Sequence, residues 1–92
     1  MKDITALALG LRDPAISRRQ AAARELGRSG NPAATGPLGA ALSDLHPKVR
    51  SECVQALGRL EDPDASPFII QALGDAEPEV RAAAIAATGR TR

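Results

Sequence analysis

Three arginines, Arg19, Arg50 and Arg81, each stand six residues after an aspartate, Asp13, Asp44 and Asp75. A row of guanidinium groups is suited to holding a phosphate or carboxylate, because the planar fork donates parallel hydrogen bonds to an oxyanion. The same pairing works equally well inside a protein, where a turn aspartate accepts from backbone amides and from a guanidinium of its own or a neighbouring turn. Helical geometry favours the internal use. With Arg18, Val49 and Val80 as origin and 100° per residue, the three arginines fall at about 100°, within the apolar arc. Asp13, Asp44, Asp75, Arg19, Arg50 and Arg81 are therefore expected to form a structural ladder. A second row, Arg28, Arg59 and Arg90, follows Gly27, Gly58 and Gly89; there cations offset the negative end of a helix dipole, or line an edge for phosphates or an acidic peptide. His46 and Cys53 are the residues that invite metal or nucleophile chemistry. Cys53 fills a slot held by Ala22 and Ala84 in register, which marks a small core residue, and His46 falls in a turn. Two ligands without a third or fourth at metal spacing make no site. No phosphate loop, nucleophile elbow or Cys-x-x-Cys is present. No catalytic, metal or cofactor-binding residue and no cofactor are expected.

What positions these residues is a step of 31, held without a gap from Asp13 to Asp44 to Asp75 and by both rows of arginines. A fixed period of this size means one supersecondary unit stacked on copies of itself, burying a core that no single unit buries alone. The 92 residues hold three copies, at 1–31, 32–62 and 63–92, in one domain spanning 1–92. The predicted fold is all-α: an α-solenoid of three helical hairpins, about six helices.

The first helix of each unit, helix A, carries Leu7, Gly10 and Leu11, then Leu38, Ala41 and Leu42, then Ile69, Ala72 and Leu73, an i, i+3, i+4 stripe. Asp3 and the Ser66-Pro67 pair are expected to cap two copies. Gly36, Pro37 and Gly39 weaken the middle one. Helix B begins near Ser17, Pro47 and Pro78 and is expected to close at Gly27, Gly58 and Gly89 in the left-handed conformation. In the first copy, Arg18 replaces a valine and Ile16 a proline, so this helix is expected to start at Pro14 with Asp13 as cap. Its buried face is expected at Ala22, Cys53 and Ala84, at Ala23, Val54 and Ile85, and at Leu26, Leu57 and Thr88.

The strings Leu42-x-Asp44-x-x-Pro47-x-Val49-Arg50-x-x-Cys53-Val54-x-Ala56-Leu57-Gly58 and Leu73-x-Asp75-x-x-Pro78-x-Val80-Arg81-x-x-Ala84-Ile85-x-Ala87-Thr88-Gly89 resemble HEAT-like repeats, the short bacterial variety also found in phycobilisome-lyase-type proteins. The resemblance covers essentially the whole chain. It implies helix A outside and helix B lining a concave surface, and it is nearly silent on function, since such folds host many roles.

Charge balance is close, 12 Lys and Arg against 11 Asp and Glu, but uneven: residues 1–31 carry +3, and each of the other two repeats −1. Phe68 is the sole aromatic, so the base-stacking platform of a nucleic-acid binder is missing. Nucleic acid, which would have to use Arg18, Arg19, Arg24 and Arg28, is disfavoured as a partner. One cysteine forms no internal disulfide. The apolar stretch Ile4 to Leu11 stays in register with the later repeats and is not read as a signal core. No run reaches the roughly 20 apolar residues of a membrane helix, and a cytoplasmic protein is expected.

The outward side of helix B is the expected partner surface. It runs from Arg24 through Lys48, Glu52 and Gln55 to Glu79, Ala83 and Ala86, grading from basic to apolar. Such a ridge suits a protein segment, with Arg24 and Lys48 meeting acidic groups and the alanines allowing close approach. The expected function is a non-enzymatic protein-binding scaffold or adaptor. A subunit or relative of a phycobilin lyase-type protein is the alternative that the resemblance implies. A homodimer through the alanine-rich third repeat is also expected.

Overall fold

The computed structural model describes residues 3–89. Six α-helices follow one another: α1 (Ile4–Leu9), α2 (Ile16–Arg28), α3 (Thr35–Ala40), α4 (Pro47–Leu60), α5 (Ser66–Ala72) and α6 (Pro78–Thr88). They form three hairpins, α1–α2, α3–α4 and α5–α6, and among the described residues there is no strand. The longer second helices stack in a row, α2 against α4 and α4 against α6, with α1, α3 and α5 laid along one side.

The helix starts follow from side-chain caps and prolines. Asp3 accepts from the Thr5 amide ahead of α1. A single 3-10 turn precedes α3 and another precedes α5, with Asn31 accepting from Ala33 N and Asp62 from Asp64 N, and Pro32 and Pro63 in the first position. The Ser66-Pro67 pair is therefore not a cap: Ser66 is already helical, and the Asp62 side chain caps the preceding turn at the Asp64 amide. Nor does α2 begin at Pro14. The Asp13 carboxylate accepts from Ala15 N at 2.8 Å, closing a turn, and the helix starts at Ile16.

The core runs along the row. Leu26, Leu38, Leu57, Ile69, Val49, Val54 and Val80 are fully buried, each contributing about 1.5–3 kcal/mol. Ala22, Cys53 and Ala84 are buried with them. Ile85 and Thr88 are not, although their sequence register matches Val54 and Leu57. Ile85 lies on the outer face of α6, beyond which no further described helix stacks.

The periodic glycines also differ from expectation. Gly27 and Gly58 lie inside α2 and α4, and Gly89 ends α6 at φ −70°, in the right-handed region. Left-handed backbone occurs instead at Gly30 and at Glu61, which ends α4. What Gly27 provides is proximity: a Cβ there would sit 2.8 Å from both Cα and Cβ of Ala56 on the next helix. Gly39 likewise makes room for the Phe68 ring, which a Cβ would meet at 2.5 Å.

Candidate functional site

Each turn between the two helices of a hairpin carries a ladder aspartate, and the arginines bind those turns together. Arg19, near the start of α2, donates from Nη1 to the carbonyls of Asp13 and Pro14 at 2.9 and 3.1 Å. Its Nε and Nη2 reach across to the Asp44 carboxylate at 2.8 and 3.3 Å. Arg50 repeats the arrangement one unit on: Nη1 serves the carbonyls of Asp44 and Leu45, while Nε and Nη2 hold Asp75 at 2.9 and 3.1 Å. Asp44 and Asp75 also accept from the amides of His46 and Glu77, so each carboxylate is gripped from two sides. The hydrogen bond from Arg50, with its positive charge, holds the Asp75 carboxyl below the usual carboxylate range, and Asp75 raises Arg50 in turn. Both pairs are largely buried, where a bidentate fork is at its strongest. Arg81 grips the carbonyls of Asp75 and Ala76 at 2.8 and 3.1 Å.

A second tie joins the outer helices. Thr35 Oγ1 donates to Asp62 at 2.8 Å. Sequence reasoning missed it, yet a signal existed: Thr35 and Ser66 keep the step of 31 as hydroxyls, and Asn31 and Asp62 keep it as short acceptors.

The residues expected on the partner ridge divide into three groups. Lys48, Gln55, Glu79 and Ala86 are exposed along the row. Arg24 and Glu52 are engaged with each other across α2 and α4, at 2.7 Å, leaving Arg24 partly exposed and Glu52 mostly covered. Ala83 is buried, and so is Ser51 on α4. Between α4 and α6 the ridge dips into a hollow of about 180 Å³, lined by Gln55, Arg59, Ala83, Ala86 and Ala87. Ala83 thus contributes to the floor of the ridge and not to its crest.

Of the outer arginine row, Arg28 is exposed and lies 3.9 Å from Glu25, Arg59 is exposed at the hollow, and Arg90 lies outside the described residues. The remaining chemistry-bearing residues are placed by the fold in structural positions. His46 caps α4 by accepting from Lys48 N at its Nδ1, a more defined role than a solvated turn residue. Cys53 is wholly buried, and loss of solvation, with the negative charges of Asp44 and Glu52 adding to it, pushes its thiol up to about 12. Among the described residues no three His, Cys, Asp or Glu side chains gather as metal ligands. No described helix is long and apolar enough to cross a membrane.

The repeat geometry agrees with a family match: the model of HEAT repeats fits residues 4–91. The chain belongs to the HEAT-repeat family. Two solved structures carry similar HEAT-like architecture. Human deoxyhypusine hydroxylase, in complex with glycerol, superposes with a TM-score of 0.89 at 31% identity, over 95% of this chain and 31% of the enzyme. The complex of CpcE and CpcF of phycocyanin lyase from Nostoc sp. PCC7120 gives a TM-score of 0.83 at 28% identity, over 95% of this chain and 36% of that one. This HEAT-repeat chain therefore spans about a third of the length of either structure. Among curated proteins none matches the sequence significantly.

Proposed function

We propose that this HEAT-repeat chain is a non-enzymatic scaffold that binds a partner protein along the row formed by α2, α4 and α6. The main support is the graded ridge. Lys48 stands exposed on α4 beside the paired Arg24 and Glu52, and Ala83, Ala86 and Ala87 line the hollow together with Gln55 and Arg59. A hollow of about 180 Å³ is the size of one or two aliphatic side chains. The partner segment is therefore a helix or extended strip with one apolar anchor for the hollow and an acidic residue toward Lys48. The ladder residues serve this surface indirectly, by holding the three second helices at a constant step.

Affinity capture from nuclease-treated lysate of the source organism, comparing the wild type with a Lys48→Glu, Ala86→Glu variant, tests this. Both positions are exposed, so the fold is retained. A stoichiometric protein recovered by the wild type and lost by the variant supports the ridge; equal recovery by both refutes it.

The likeness to the phycocyanin lyase complex favours a second reading, a lyase-type accessory protein that acts within a complex. Titration with a bilin decides it: no shift in visible absorbance removes chromophore handling. Nucleic acid is a poorer fit, because Arg19 and Arg24 of the basic first repeat are already paired with Asp44 and Glu52. The phosphate contacts left to Arg18 and Arg28 are too few for strong binding.

A further inference from the structure

The chain contains the same inter-repeat joint twice, and its last described helix presents one half of a third. In each joint an arginine of one unit crosses to the turn aspartate of the next, Arg19 to Asp44 and Arg50 to Asp75. An apolar side chain four residues on, Ala23 or Val54, is buried. In the first joint the glycine that follows, Gly27, receives Ala56 at a distance that excludes any larger side chain. On the outer face of α6 the corresponding residues are Arg81, Ile85 and Gly89. Ile85 is 65% exposed, where Ala23 and Val54 are 0%. Arg81 keeps its Nη1 bonds to Asp75 and Ala76, so the guanidinium is oriented as in the two completed joints. Its Nε and Nη2, which in Arg19 and Arg50 hold a carboxylate, have no acceptor among the described residues.

We propose that this face is a docking edge for a helix pair of the same repeat class on a partner protein, presenting a turn aspartate to Arg81 and a small side chain to Gly89. Charge complementarity and continuity with the two internal joints both specify that occupant. The opposite end of this chain does not supply it. Where the incoming unit must bring the alanine seen at Ala56, the first repeat has Glu25, and where it brings Val49 it has Arg18, already 3.8 Å from Asp13. A second copy stacked head to tail would press the Glu25 carboxylate against Gly89. The near face of the first repeat is polar, whereas the far face of the third carries one half of a joint.

The test converts that polar face into the missing half. The full chain carrying Arg18→Val and Glu25→Ala presents the edge of an internal repeat; adding Ile85→Glu blocks its own open end, leaving a one-sided probe whose folding is checked by circular dichroism. Glu25→Ala with Ile85→Glu is the second probe. Analytical ultracentrifugation of wild type plus probe is expected to show a one-to-one complex. Arg81→Glu or Ile85→Glu in the wild type should weaken it by about tenfold or more. A folded probe that fails to bind, or binding indifferent to both substitutions, overturns the proposal. So does wild-type chain that dimerises by itself through a contact abolished by Ile85→Glu, since the occupant would then be a second copy.

Discussion

Replacing Gly27 with alanine separates the two reasons for a glycine at that position. Gly27 lies inside α2 with helical backbone. Judged by propensity alone, alanine would stabilise the helix by about 0.5–1 kcal/mol. The added methyl, however, would stand 2.8 Å from both Cα and Cβ of Ala56, and one of those atoms is backbone, which cannot swing aside. Separating α2 from α4 enough to admit it disturbs the stacking at Leu26 and Leu57; overpacking of this kind costs about 1–3 kcal/mol, and more where backbone must move. The net expectation is a loss of about 1–2 kcal/mol, or a fall in Tm of about 4–15 °C for a chain of this size. Gly36 is the control, because no atom lies within 4 Å of its added Cβ. Gly36→Ala should therefore gain a few tenths to about 1 kcal/mol from propensity alone. Urea unfolding of both variants, followed by circular dichroism, reads the sign directly. A Gly27→Ala protein as stable as the wild type would refute the close-contact account. Adding Ala56→Gly to Gly27→Ala should recover only part of the loss, because the Ala56 Cα remains in the way.

The ladder gives the remaining predictions. Arg50→Lys loses the bidentate grip on Asp75 and should cost about 2 kcal/mol in urea unfolding, whereas Arg81→Lys, with carbonyl partners alone among the described residues, should cost under about 1 kcal/mol. Asp75 is held below its unfolded value, so its contribution is complete above about pH 4 and is lost as pH falls below that; Asp75→Asn should flatten the acid limb of the stability profile. Cys53, buried with a thiol at about 12, should resist a disulfide reagent at pH 8 in the folded protein and react only as urea unfolds it. Arg24→Ala breaks a partly exposed pair and should change stability by less than about 1 kcal/mol.

The architecture was legible because it is written in residue identity at fixed spacing: Asp44 and Arg50, Asp75 and Arg81 recur together, and the hairpins fall between them. Side chains that act at a distance were harder to read. Nothing local distinguishes a glycine that turns the chain from one that admits a neighbour; the choice at Gly27 depends on Ala56, a residue on another helix. The Arg24 to Glu52 pair had no counterpart in the third repeat, so periodicity gave no hint that two ridge residues would consume each other. Ile85 was expected to be buried because Val54 is, but burial at that position is conferred by the next unit in the stack, which the helical wheel of a single unit cannot represent. Ala83 differs in the other direction, buried where the ridge predicts exposure, since a wheel drawn for one helix omits the neighbour packed against it.

The ladder has a consequence for how such a chain lengthens. Each internal repeat brings an aspartate on the side facing its predecessor and an arginine on the side facing its successor, so a duplicated block of residues 32–62 would arrive with both of its new seams already matched. Growth by whole copies then requires no compensating substitution, while a residue inserted within a second helix after its arginine would rotate the buried side chains beyond it off the joint. The unit of inheritance and the unit of mechanical connection coincide, which accounts for a step of 31 kept without a gap through changes in most of the other residues.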